Sequence, residues 1–115
     1  MSVLGFNAAL EKQPWEQKTI KAGFTDVSSA LVISGYALNN CTVAVKDRSG
    51  ANQDNNMIEG SPTLDANNQC IFVCFKGGND GQNYYAQFRT YWAKNSQPDQ
   101  KIERDLLIEV KEEGF

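Results

Sequence analysis

Few residues in this sequence can do chemistry, and their spacing decides which reactions are open to them. Three cysteines, Cys41, Cys70 and Cys74, are its softest ligands and nucleophiles. Cys70 and Cys74 have the spacing of a metal pair, yet they sit in residues 69–76, a run that reads as a strand. Four residues along a strand span roughly 13 Å, too far for one metal ion or one disulfide. The odd count also argues against a closed disulfide framework. Three reduced thiols acting as small apolar residues are expected. The chain has no histidine, which removes the commonest general base, metal ligand and triad member. No catalytic, metal-binding or cofactor-binding residue is assigned, and the chain is not expected to be an enzyme.

Other constellations lose their chemistry on inspection. Gly77-Gly78-Asn79-Asp80-Gly81 looks like a phosphate cradle, but such a loop must lead into a helix whose N-terminus faces the anion. Here strand-like residues follow, so Gly77, Gly78 and Gly81 are read as a structural β-hairpin turn in which glycine supplies positive φ. Residues 47–56 have the oxygen-rich composition of a calcium loop. Counting from Asp47, however, the third position is Ser49 and the fifth is Ala51, so the acidic rhythm of an EF-hand is missing. Glu103 and Asp105 would lie about 7 Å apart on one strand face, a spacing open to glycoside chemistry. Lys101 and Lys111 share that side, as on an ordinary mixed-charge surface. Among Trp15, Tyr84, Tyr85, Tyr91 and Trp92, the pair Tyr85 and Tyr91 falls opposite the presumed core face. Exposed tyrosines of this kind favour a protein contact over a sugar platform.

Strands must position these residues. In residues 82–94 the even positions Tyr84, Ala86, Phe88, Thr90 and Trp92 form an apolar face, and Asn83, Gln87 and Arg89 a polar one. Residues 101–111 repeat the pattern, with Ile102, Leu106, Ile108 and Val110 on one side and mostly charged residues on the other. Residues 17–24, 30–36, 41–47 and 70–75 supply further strands, the last apolar on both faces as suits a central strand. A helical turn is hinted at only in 28–30, and a turn is expected within 61–69. Short strands at this spacing predict an all-β, immunoglobulin-like antiparallel β-sandwich of about seven strands. The domain is expected to span 16–113. Residues 1–15 would precede it as an extended arm whose Val3, Leu4 and Phe6 join Tyr85 and Tyr91 as a candidate contact surface.

A chain of 115 residues is one domain and can bury a core unaided. Its net charge of -3 offers no general attraction to nucleic acid or an anionic membrane. No basic leader precedes an apolar run, and no run approaches the roughly 18 apolar residues of a membrane helix. The expected setting is the cytoplasm, or a larger assembly built there.

Read in order, Lys12-Gln13-Pro14-Trp15-Glu16, the Thr42–Val45 strand, Gly77-Gly78-Asn79-Asp80-Gly81-Gln82-Asn83-Tyr84, Thr90 and the final Glu103–Glu112 run resemble a family of small β-domain proteins from the virion region of tailed bacteriophages. The resemblance covers about residues 12–113. It implies a virion structural protein, an adaptor joining tail and fibres by protein–protein contact. Its partners would be tail and fibre subunits and further copies of itself. It would be assembled in the host cytoplasm, without cofactor, nucleic acid or membrane. A carbohydrate-binding module on the same fold, and a capsid decoration or head–tail joining protein, are the alternatives.

Overall fold

A computed structural model describes residues 9–23, 35–65 and 70–112 and the backbone of 3–4. Among these residues eight strands form: β1 (Val3–Leu4), β2 (Leu10–Lys12), β3 (Lys18–Gly23), β4 (Ala37–Asp47), β5 (Ile58–Asp65), β6 (Cys70–Phe75), β7 (Asn83–Ala93) and β8 (Gln100–Val110). A single helical turn, α1 (Asp54–Met57), precedes β5. One sheet has the order β1-β3-β6-β5 and the other β2-β8-β7-β4. Counting β1 and β2 as a first strand broken between the two sheets gives the predicted seven. The order is that of an immunoglobulin-like sandwich.

Period-two burial builds the core. Along β7 every second residue from Tyr84 to Trp92 is buried, and β8 does the same from Leu106 to Val110. These side chains meet Ile71, Val73 and Phe75 of β6 and Ile20 and Ala22 of β3 in one cluster. Ile102, expected inside, is half-buried at the margin of the cluster. Thr90 is the polar member of the β7 face. Its Oγ1 donates to the Ile102 carbonyl at 2.8 Å and accepts from Trp92 Nε1 at 2.8 Å, so the largest core ring keeps its N–H satisfied.

Four expectations need correction. First, residues 77–81 are not a hairpin turn. They carry the chain from β6 in one sheet to β7 in the other, as an inter-sheet corner. Gly77, Gly78 and Gly81 do have positive φ, at 61°, 91° and 79°. A Cβ on Gly77 would lie 2.5 Å from the Asn56 carbonyl oxygen. Tyr84, at the start of β7, reaches back so that its hydroxyl accepts the Asn79 N–H at 3.0 Å. This is the tyrosine corner of Greek-key sandwiches.

Second, residues 61–65 are strand rather than part of the expected turn, whose remaining positions 66–69 lie outside the described residues. The turn-like Gly60, Ser61 and Pro62 sit in a bulge of β5 between Glu59 and Thr63, which an edge strand tolerates. Third, the 47–56 loop holds α1, whose Met57 is fully buried and pins the loop to the core. Fourth, the arm boundary at 15/16 does not hold. β2 pairs in parallel with β8, Leu10 opposite Ile108 and Lys12 opposite Val110, and β1 pairs with β3. The expected helical turn at 28–30, and the strand over 30–36 except Gly35 and Tyr36, lie outside the described residues.

Truncating Phe88 to Ala should cost about 3–5 kcal/mol in a denaturant titration, as for a fully buried ring. Thr90→Val, nearly isosteric, should cost about 1–3 kcal/mol because it strips Trp92 Nε1 of its acceptor inside the core. A change near zero in either would show that β7 is not the centre of the core.

Candidate functional site

The connection from β2 to β3 builds the most distinctive surface. Pro14 fixes its own φ and biases Gln13 toward extended backbone at the end of β2. The chain then turns, the Glu16 N–H donating to the Gln13 carbonyl at 3.1 Å. The Glu16 carboxylate accepts the Gln13 N–H at 2.6 Å and lies 3.4 Å from Lys18 Nζ. At the tip stands Trp15, 93% exposed, an apolar ring held in water on an ordered turn. A groove of about 470 Å³ flanks the turn, lined by Glu11, Lys12, Glu16, Lys18, Glu109 and Lys111 among others.

Lys12 is only 3% exposed. Its Nζ donates to the Gln13 carbonyl at 2.8 Å and to the Gly77 carbonyl. The side chain therefore ties β2 to the inter-sheet corner. Burial pushes the Lys12 ammonium below its usual range; Glu16 partly restores it, while Lys18 opposes it. The Glu16 carboxyl is held below its usual range mainly by the Gln13 N–H, with help from Lys18 and Lys12.

The sequence-predicted contact residues do not form one patch. Val3 and Leu4 place their backbones in β1, while their side chains and all of Phe6 lie outside the described residues. Tyr85 is 45% exposed on the outer face of the β2-β8-β7-β4 sheet, flanked by Lys46 and Leu107. Tyr91, on the same face, is half-buried, with Lys101 Nζ over its ring at 5.9 Å. Six residues along one strand separate the two rings by roughly 20 Å, so they cannot grip one sugar between them. Trp15 is the residue that spacing could not single out. Nothing in Gln13-Pro14-Trp15-Glu16 says whether the ring packs inward, though proline before it signals a turn.

The remaining candidates are satisfied locally. Asp47 Oδ1 accepts the Ser49 N–H at 2.9 Å, Ser49 Oγ at 2.6 Å and the Ala51 N–H at 3.0 Å. Its Oδ2 accepts Gln53 Nε2 at 3.0 Å. Both oxygens thus hold the loop together. Glu103 accepts Arg89 Nε at 2.7 Å and so forms a cross-strand ion pair rather than an acid pair with Asp105. Cys41 sits half-buried on β4, its thiol pushed up to about 12 by burial. Burial also raises the Cys70 thiol, with the Lys21 charge working against it. Among the described residues no three Cys, Asp or Glu converge on a metal position. No helix among them is long and apolar enough to cross a membrane.

No protein-family model matches the chain, and no curated protein matches it.

Two measurements check this site. The Gln13 amide shift should titrate with Glu16. Because the folded pKa is depressed, the turn gains stability above the ordinary glutamate value near ~4.3 and loses it as pH falls through the lower folded value. The titration should vanish in Glu16→Gln; if it persists, Glu16 does not hold the turn. At pH 8 the thiolate fraction of Cys41 should be on the order of a thousandfold below that of free cysteine. Alkylation followed by mass spectrometry would therefore find Cys41 resistant in the folded chain, and rapid labelling would contradict its burial.

Proposed function

We propose that the chain is a non-enzymatic virion structural protein of a tailed bacteriophage, an adaptor joining tail and fibres through protein–protein contacts. Copies made in the host cytoplasm would build into the particle. The resemblance over residues 12–113 supports the phage setting. The observation that carries the contact role is Trp15, an almost fully exposed ring on a turn closed by two hydrogen bonds. Tryptophan anchors dominate protein interfaces, and a ring already ordered before docking loses little entropy on burial. Tyr85, on the outer face of a rigid sheet, adds a second aromatic anchor. Neither lies in a concave pocket of the kind that encloses a small ligand. Repetition around the particle lets modest contacts sum to firm attachment.

The test is incorporation. Purified particles should contain the chain by mass spectrometry. A Trp15→Ser/Tyr85→Ser chain should enter them at least tenfold less efficiently while melting as the parent does, since exposed positions change stability little. Full incorporation of the double variant, or absence of the parent chain from particles, would sink the proposal.

A further inference from the structure

The lane that β2 occupies is a strand-wide slot along the outer edge of β8. It is built for one sequence. Glu11 lies beside Glu109, and Lys12 beside Val110. The Lys111 N–H donates to the Lys12 carbonyl at 3.0 Å. Beyond the backbone ladder, the Gly77 carbonyl points into the lane and is met by Lys12 Nζ. A foreign apolar strand could copy the ladder but would leave that carbonyl without a cation. The slot is thus complementary to Leu10-Glu11-Lys12 itself, on whichever molecule those residues are carried.

We propose that two copies of the chain exchange β2, so that Leu10–Lys12 of each copy fills the β8 lane of the other, with residues 13–17 as the hinge. Three observations support exchange. β2 has three residues and is joined to β3 by a five-residue connection, so opening straightens the 13–16 turn and carries β1, which pairs with β3, along with β2. Pro14 already favours extended backbone at Gln13, and short hinges under constraint invite exchange. Trp15 supplies the gain, since in the closed chain its ring is 93% exposed. In an exchanged pair the two straightened hinges run past each other about a two-fold axis, and each Trp15 can bury against the hinge of the other copy. The ladder and the Gly77 contact of β2 are remade, because an exchanged element rebuilds its own interface, while the two hydrogen bonds that close the 13–16 turn are given up. The closed form competes through an effective concentration in the millimolar range. Exchange is therefore favoured at high concentration, or where an assembly holds copies side by side.

The experiment mixes two full-length single variants, Glu11→Cys and Glu109→Cys, at about millimolar concentration, an estimate set by that effective concentration. Neither variant can form an 11–109 disulfide within itself, nor with a second copy of its own kind. After mild oxidation, exchange predicts a covalent heterodimer whose 11–109 linkage is identified by peptide mapping. Linkages through the native cysteines are distinguished by the same map. A chain that stays monomeric overturns the proposal, as does a non-covalent dimer lacking the 11–109 linkage. Trp15→Ser, at an exposed position, should fold normally and lower the yield of linked dimer at least tenfold; an unchanged yield overturns the hinge contact. A chain that fails to exchange yet still enters particles overturns exchange and leaves the adaptor reading intact.

Discussion

The corner between β6 and β7 sets the alignment of the two sheets, and most of what distinguishes the surface hangs from it. The chain must leave one sheet and enter the other within residues 76–82. Left-handed backbone at Gly77 and Gly78 makes this possible. Space enforces it as well as φ, since a side chain at Gly78 would strike Val110 Cγ2 at 2.8 Å. Around this crossing the structure gathers its polar ties. Lys76 N–H donates to the Met57 carbonyl at 2.8 Å, Tyr84 takes the Asn79 N–H, and Lys12 reaches Gly77. The Gly81 N–H bonds the Val110 carbonyl at 2.8 Å. One crossing thereby orients α1, the start of β7, the end of β8 and the end of β2. It also fixes where the Trp15 turn projects.

The sheets manage their edges unequally. β5 is broken by its bulge and carries Pro62, which offers no N–H. β4 is eleven residues long and would be an open template, but residues 51–54 fold over its end. The Gln53 N–H donates to the Val45 carbonyl at 2.7 Å, and the Asp54 carboxylate accepts the Val45 N–H at 2.6 Å. The oxygen-rich loop that looked like a calcium site is thus an edge guard. Its carboxylates are spent on backbone N–H groups and on the Ser49 and Gln53 side chains, where an ion pair or a metal would compete with them.

What could be read in advance follows the same physics. β7 and β8 were legible because one face of each is buried and the other wet, so burial imposes period two directly on the sequence. β6 was legible as a central strand because neighbours on both sides leave it little polar work. β5 was not, because its bulge places Gly60, Ser61 and Pro62 where turn residues are expected. β2 was not, because three residues are too few for a period and a lysine stands at a buried position. The corner glycines were legible as positive-φ residues. Whether the strands they join share a sheet depends on pairings dozens of residues away. The Tyr84 bond is invisible for a related reason, since its partner is a backbone N–H that any residue would supply. At the site, the outward direction of Tyr85 could be read from alternation, whereas the exposure of Trp15 depends on what the turn does not touch.

β2 also shows how a short strand can be held. Ordering three residues costs about 3–6 kcal/mol in backbone entropy, while burying Leu10 returns only about 2 kcal/mol. Ladder hydrogen bonds contribute about 1 kcal/mol each, and bonds from a charged donor about 1.5–3 kcal/mol. The Lys12 bonds to Gln13 and Gly77 therefore decide whether the strand stays. A methionine in that place would avoid the desolvation cost of an ammonium, but the Gly77 carbonyl would then lose its partner and the lane its selectivity. Polar keys of this kind exchange some affinity for specificity. The least extensive strand of the second sheet is thus retained by recognition more than by area, which is the condition under which the same segment of another copy can take its place.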